Sequence, residues 1–340
     1  MLAVTRWTLG AGLFFSGLCI GWLLSHSEPI SGETEREEVA YRRLTSPYLE
    51  CAGIRDMDRD LVRARNRVEE LLDRWREEDP TLSVSVYARD LLNGPWVGID
   101  ERRGYEPASL MKVWVLFHAL ARMEEDPSIR DREYEYPGPQ AMPSPDNLTD
   151  RPPEERMTPG ARYRYEELVE RMIIHSDNHA KDLLLSDVPP GAVEDFMAAV
   201  GMEVILDGNR PVMDPRSYSA LFRTLFNSSL FSRPTSEWAL DLLSRGRYQN
   251  GLRASVPSGI TVASKFGIHR HTAAVPGNGS EADSGTASQS GSQVHECGIV
   301  YAPGGPYVLC VMTRSRARDT DELSGLLREI GRIFYRARAD

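Results

Sequence analysis

Pro107-Ala108-Ser109-Leu110-Met111-Lys112-Val113-Trp114-Val115-Leu116-Phe117 is the stretch on which the reading of this 340-residue chain turns. From Pro107 to Ala121 the one formally cationic residue is Lys112, and its neighbours are apolar on nearly every face. A helix apolar all round is a buried one. Ser109 falls at its N-terminal end, with Lys112 one turn later on the same face. Burial penalises an ammonium and lowers its pKa, which moves Lys112 toward the neutral amine that takes a proton from a hydroxyl. The helix N-terminus favours negative charge developing beside it. Taken alone, the segment reads more simply as a serine N-cap followed by a lysine that reaches the surface, because four-residue patterns of this kind recur by chance.

The composition sharpens the reading of Lys112. Of 40 basic residues, 37 are Arg and three are Lys: Lys112, Lys181 and Lys265. A position that keeps Lys in such a chain points to an amine able to lose its proton. Fifty acidic residues give a net charge of -10, which argues against nucleic acid as a partner. Four cysteines without a Cys-x-x-Cys spacing fit neither a disulfide scaffold nor a structural zinc site. With 41% hydrophobic and 26% charged residues, the chain suits one large globular domain or two smaller ones.

Toward the N-terminus, residues 7–24 form an uncharged, mostly apolar run behind Arg6. Eighteen residues at about 1.5 Å each come to roughly 27 Å, near the thickness of a bilayer core. Residues 1–27 therefore read as a signal-anchor or a cleaved signal peptide. The length of the run favours the anchor, and Ser25 and Ser27 make a poor cleavage site. Cys19, preceded by Leu18, is a poor lipidation site. Arg6 favours a cytoplasmic N-terminus with everything downstream exported. Export allows a Cys297–Cys310 bridge, which spacing alone does not establish.

Residues 28–54 read as a linker and 55–338 as the folded domain. Met57, Leu61, Ala64, Val68, Leu71, Leu72 and Trp75 recur at helical period until Pro80 stops them. Leu82, Val84, Val86 and Ala88 then alternate with polar residues as in a strand, and Asn93-Gly94 reads as a hairpin turn into Trp96. Residues 113–255 are mostly helical in pattern, interrupted by a Pro-rich stretch at 127–159. Strand patterns return at 260–267, 297–302 and 307–313, the last two joined by Pro303-Gly304-Gly305-Pro306. A Gly/Ser-rich segment at about 270–293 reads as a flexible insertion. Leu323, Leu326, Leu327, Ile330 and Phe334 mark a closing helix. The expected fold is α/β of the α+β type: an antiparallel sheet built from both chain ends, flanked by the terminal helices, plus an all-helical lobe across a cleft.

Two further segments carry polar groups suited to chemistry. In His175-Ser176-Asp177-Asn178-His179, Ser176 suits a proton relay, Asn178 suits holding an amide carbonyl, and Asp177 suits buttressing the turn. The same stretch read as a turn is equally ordinary. His175 and His179 are four apart, as in zinc hydrolases, but Ser176 stands where that pattern needs Glu, and no third ligand is evident. In Ala263-Ser264-Lys265-Phe266-Gly267-Ile268, an edge-strand Lys265 suits a substrate carboxylate. Gly267 lets the backbone come close, and the Ile268 N–H suits a developing oxyanion.

Ser-x-x-Lys, Ser-Asp-Asn and Lys-x-Gly in this order form the set found in class A β-lactamases and penicillin-binding proteins. The chain resembles a class A β-lactamase-like serine hydrolase over roughly residues 55–338. That resemblance implies Ser109 as the acylated nucleophile, Lys112 as its proton acceptor and Ser176 as the relay to the leaving nitrogen. It implies Asn178 on the substrate amide, Lys265 facing the substrate carboxylate, and the Ser109 and Ile268 N–H groups, beside Gly267, as oxyanion hole. The implied substrate is a β-lactam or a D-alanyl-D-alanine cell-wall peptide. No cofactor or metal is implied, and a monomer is expected. Two places depart from the pattern. Phe266 stands where a hydroxyl residue is usual, which removes a charge-assisted hydrogen bond of about 1.5–3 kcal/mol. No Glu-x-x-Leu-Asn follows Ser176, and Glu203, Asp207 and Asp214 read as turn or cap residues. General-base help is worth about 10²–10⁴-fold, so slow clearance of the acyl-enzyme is expected. The rival readings are a D,D-peptidase, a silent cell-envelope binding module of the same fold, and a metal hydrolase.

Overall fold

The computed structural model describes residues 44–45, 59–201, 205–207, 210–269 and 291–339. The apolar run at 7–24, most of the linker and the inserted segment at 270–290 lie outside them. Among the described residues no helix is long and apolar enough to cross a membrane.

Five strands form one antiparallel sheet: β1 (Ser83–Asp90), β2 (Trp96–Ile99), β7 (Val262–His269), β8 (Ser292–Ala302) and β9 (Gly305–Ser315), in the order β2-β1-β9-β8-β7. The chain ends meet in this sheet because β1 pairs with β9 along its whole length, Ser83 opposite Arg314 and Asp90 opposite Tyr307. Residues 307–312 are apolar without interruption because both faces of β9 are covered. Tyr307, Leu309 and Val311 pack under the terminal helices, while Val308, Cys310 and Met312 face the helical lobe.

The terminal helices are α1 (Arg59–Glu78) and α8 (Thr320–Ala339). Leu61, Ala64, Val68, Leu71 and Leu72 of α1 share one core with Leu323, Leu326, Leu327, Ile330 and Phe334 of α8. Each such leucine contributes about 1.5–3 kcal/mol on burial. Asp79 ends α1 by accepting hydrogen bonds from the Thr81 N–H and hydroxyl. The β1–β2 turn follows the sequence closely: Gly94 has φ +89°, and Asp90 accepts from the Leu92 and Asn93 N–H groups.

The lobe holds α2 (Lys112–Glu125), α3 (Tyr165–Ile174), α4 (Asn178–Leu185), α5 (Ala192–Ala199), α6 (Pro215–Asn227) and α7 (Arg233–Ser244). Two small ladders interrupt it, β3 (Glu133–Glu135) with β4 (Arg162–Arg164), and β5 (Ile205–Asp207) with β6 (Arg210–Val212). Three-residue strands leave no readable alternation in the sequence. Their surroundings decide them, as where Arg162 and Glu133 pair at 3.5 Å. β8 begins at Ser292, so the last residues of the expected insertion belong to a strand. Two linker residues are also docked: the Leu44 and Thr45 N–H groups donate to the Glu237 carboxylate at 2.6 and 2.9 Å. Cys297 and Cys310 face each other across β8 and β9 and are joined by a disulfide.

Candidate active site

The nucleophile candidate sits where two elements are forced together. Ser109 lies in a 3₁₀ turn, Ala108–Met111, that runs directly into α2 at Lys112. The turn is pinned from two sides. The Tyr218 hydroxyl of α6 donates to the Leu110 carbonyl at 2.9 Å, and the buried His295 Nε2 of β8 donates to the Glu106 carbonyl at 3.0 Å. His295 Nδ1 accepts from the Thr313 N–H, so this imidazole is neutral with its proton on Nε2. Burial pushes it down to about 3. A Cβ on Gly267 would lie 2.9 Å from the Pro107 carbonyl oxygen and 3.2 Å from the Ser109 nitrogen. The glycine is there so that edge strand β7 can approach the nucleophile turn, a closer reason than the approach of substrate expected from sequence.

Lys112 is 3% exposed and its Nζ has four neighbours. It lies 2.5 Å from the Ser176 carbonyl, 2.7 Å from Asn178 Oδ1, and 3.2 Å from each of the Ser109 and Ser176 hydroxyls. The two nearest are oxygens that only accept. A neutral amine has two hydrogens for them and keeps one lone pair, directed to a hydroxyl. The environment favours that neutral form: burial, and then the charge of Lys181, lowers Lys112 to about 7 against the opposing pull of Asp177 and Asp182.

Ser176 is the hub. Its hydroxyl lies 2.9 Å from Lys265 Nζ as well as 3.2 Å from Lys112, and its backbone is held in the left-handed region at φ +58°. Asp177 caps α4 by accepting from the His179 and Ala180 N–H groups. Asn147, in the Pro-rich stretch, locks this turn: its Nδ2 donates to the Ser176 carbonyl and its Oδ1 accepts from the Asn178 N–H, both at 2.9 Å. Asn178 is largely committed as well, with Nδ2 donating to the Pro145 carbonyl.

Lys265 is buried at 1% exposure. Its Nζ lies 4.3 Å from the Phe266 ring centre and 3.3 Å from the Phe266 carbonyl. Burial lowers its pKa well below the ordinary value, the charge of Lys112 acts in the same direction, and Glu296 opposes both. The side chain is thus aimed at Ser176. Phe266 in turn stacks on Tyr248 at 4.5 Å.

Ser109, Lys112, Ser176, Asn178 and Lys265 are therefore joined in one set of contacts through Lys112 and Ser176, and Gly267 and Ile268 lie alongside on β7. His175 and His179 do not act together. His179 has Tyr136 and Ser144 at its two nitrogens, and His175 faces Glu155 at 3.5 Å. Asp214 caps α6 by accepting from the Ser217 N–H. The Glu203 residue and the Asp207 side chain lie outside the described residues.

A cavity of about 500 Å³ opens beside Ser109 and Lys112. Sequence reasoning missed two groups near it. Asn147 carries no motif. Lys181 lines the cavity, which brings all three lysines of the chain to one place; their scarcity was the signal that could have found it.

A model of the family described as "Beta-lactamase enzyme family" matches residues 63–337. No curated protein matches. Among solved structures, the chain is similar to a penicillin-G acyl-enzyme complex of a PBP-A variant: 20% identity, TM-score 0.64, covering 82% of this chain and 96% of that one. It is similar to the TLA-3 extended-spectrum β-lactamase: 15% identity, TM-score 0.68, 82% and 100% covered. A class A β-lactamase from Mycobacterium abscessus is similar at 21% identity, TM-score 0.62, 81% and 98% covered. At these identities the structures speak for the fold.

Proposed function

The chain belongs to the β-lactamase enzyme family, and from that premise we propose an active-site-serine hydrolase that is acylated at Ser109 by β-lactams or D-alanyl-D-alanine peptides and releases the acyl group slowly. The observation that carries the reading is the coordination of Lys112. Its two shortest contacts are acceptors, which leaves its lone pair for a hydroxyl proton, with Ser109 and Ser176 each 3.2 Å away.

In the proposed step, Ser109 Oγ attacks the amide carbonyl carbon as its proton passes to Lys112 Nζ. The new Oγ–C bond forms the tetrahedral intermediate, and its oxyanion develops beside the Ser109 and Ile268 N–H groups. Ser176 stands between the two lysines and donates its proton to the leaving nitrogen as the C–N bond breaks. Lys112 then reprotonates Ser176, and Lys265 holds the hydroxyl oxygen throughout. Slow release has its support on the cavity wall, where Glu194 is the carboxylate among the described lining residues and is itself exposed.

Intact-mass spectrometry of the full chain after penicillin treatment tests the reading, with Ser109→Ala as control. The expected result is a stable adduct on the unaltered chain alone, together with slow hydrolysis of a chromogenic cephalosporin. Rapid hydrolysis with no adduct would replace slow release by efficient β-lactamase turnover, and neither adduct nor hydrolysis would favour the silent binding module.

The proposal includes anchoring in the cytoplasmic membrane of a bacterial cell envelope through residues 7–24, with the hydrolase domain outside. The Cys297–Cys310 disulfide supports it, since such bonds persist in oxidising compartments. Recovery of the full chain in the soluble cytoplasmic fraction would overturn this part.

A further inference from the structure

The cavity beside Ser109 has walls of a particular kind. Val115 comes from α2, Leu185 from the end of α4, Val188 and Pro189 from the α4–α5 connection, and Val193 from α5. Its polar side chains are mostly engaged: Lys181 Nζ lies 2.8 Å from Asp182 Oδ1 and 3.0 Å from the Ser144 hydroxyl, and Asn178 holds Lys112 and the Pro145 carbonyl. Glu194 adds a negative charge. Ser109 and Lys112 line the same space, so whatever group Ser109 carries after acylation has this cavity beside it. A volume of about 500 Å³ is that of a small-molecule site lined mostly by apolar groups.

Building on the serine-hydrolase reading above, we propose that this cavity is an acyl-chain pocket, and that the preferred donors are amides or esters whose acyl group is a neutral, extended hydrocarbon. Polar aminoacyl groups gain little from such walls, and an anionic terminus meets Glu194 without an unengaged cation among the described lining side chains to answer it. Each methylene moved from water onto these walls adds about 0.8 kcal/mol, or about fourfold in rate if it is held equally in the transition state.

A series of p-nitrophenyl esters tests this on the full chain. In the measured step Ser109 Oγ attacks the ester carbonyl, its proton passes to Lys112, and the C–O bond to p-nitrophenolate breaks. The phenolate leaves as the coloured anion, and water later releases the carboxylic acid. First-turnover rates are expected to rise about fourfold per methylene from acetyl to octanoyl, about 10³–10⁴-fold in all, with glutaryl at least tenfold slower than pentanoyl. Leu185→Trp, and separately Val188→Trp, should lower the octanoyl-to-acetyl ratio at least tenfold, with circular dichroism confirming that each variant folds. A flat profile, or an unchanged ratio in both folded variants, would overturn the pocket while penicillin still labels Ser109. Failure of penicillin and of every ester to label Ser109 would overturn the serine-hydrolase reading and the pocket with it.

Discussion

Lys112 sets the pH behaviour of the site. With its ammonium lowered to about 7 by burial and the charge of Lys181, the neutral base dominates above that value and the protonated form below it. Acylation of Ser109 should therefore lose about tenfold per pH unit below 7 and level off above it, measured as adduct formation with penicillin between pH 5 and 9. A flat profile across that range would remove Lys112 as the base. Lys112→Ala should slow the same reaction by about 10²–10⁴-fold above pH 7, with the gap narrowing below it as the unaltered base becomes protonated. At this scale the sequence was informative where a residue type was scarce, as with lysine. It was silent where the work falls to a common residue in an irregular segment. Asn147 is the example: its two hydrogen bonds to the Ser176 turn depend on a fold that brings together residues 29 and 31 positions apart, and no local pattern announces that.

Among the elements, the approach of β7 to the nucleophile turn decides most. Lys265, Gly267 and Ile268 lie on β7, and the turn carries Ser109. Gly267→Ala puts a methyl against the Pro107 carbonyl. One element must shift, so acylation should fall about 10–10²-fold, as small displacements of reacting groups do, with the strand still formed. Unchanged acylation in the folded variant would mean that the turn and the strand move independently. The loop that carries Asn147 behaves differently. Asn147→Ala leaves a backbone carbonyl and an N–H without that partner, so the chain should lose about 1–3 kcal/mol of stability in urea titration. The long periodic elements, α1, β1, β9 and α8, were legible because their burial stripes are continuous. The β3–β4 and β5–β6 ladders were not, since three residues per strand carry no period and tertiary contacts alone define them.

For the molecule as a whole, the sheet separates two cores, and the site lies on the lobe side of it. That division was readable from the two chain ends. The direction of Lys265 was not, because strand alternation gives the face of a side chain but not the partner it finds there. Ala108 and Ser176 are two of the four non-glycine residues with positive φ among the described residues, at +46° and +58°, and both border the reacting hydroxyl. A side chain in that conformation costs about 1–2 kcal/mol. Ser176→Gly should therefore melt later than Ser176→Ala, by about 1 kcal/mol, although both lose the relay hydroxyl and acylate poorly. If alanine proves the sturdier of the two, the bend is not a burden. Otherwise a screen that rewards survival of heat, blind to chemistry, will drift toward glycine at Ser176 and return tougher molecules that no longer work.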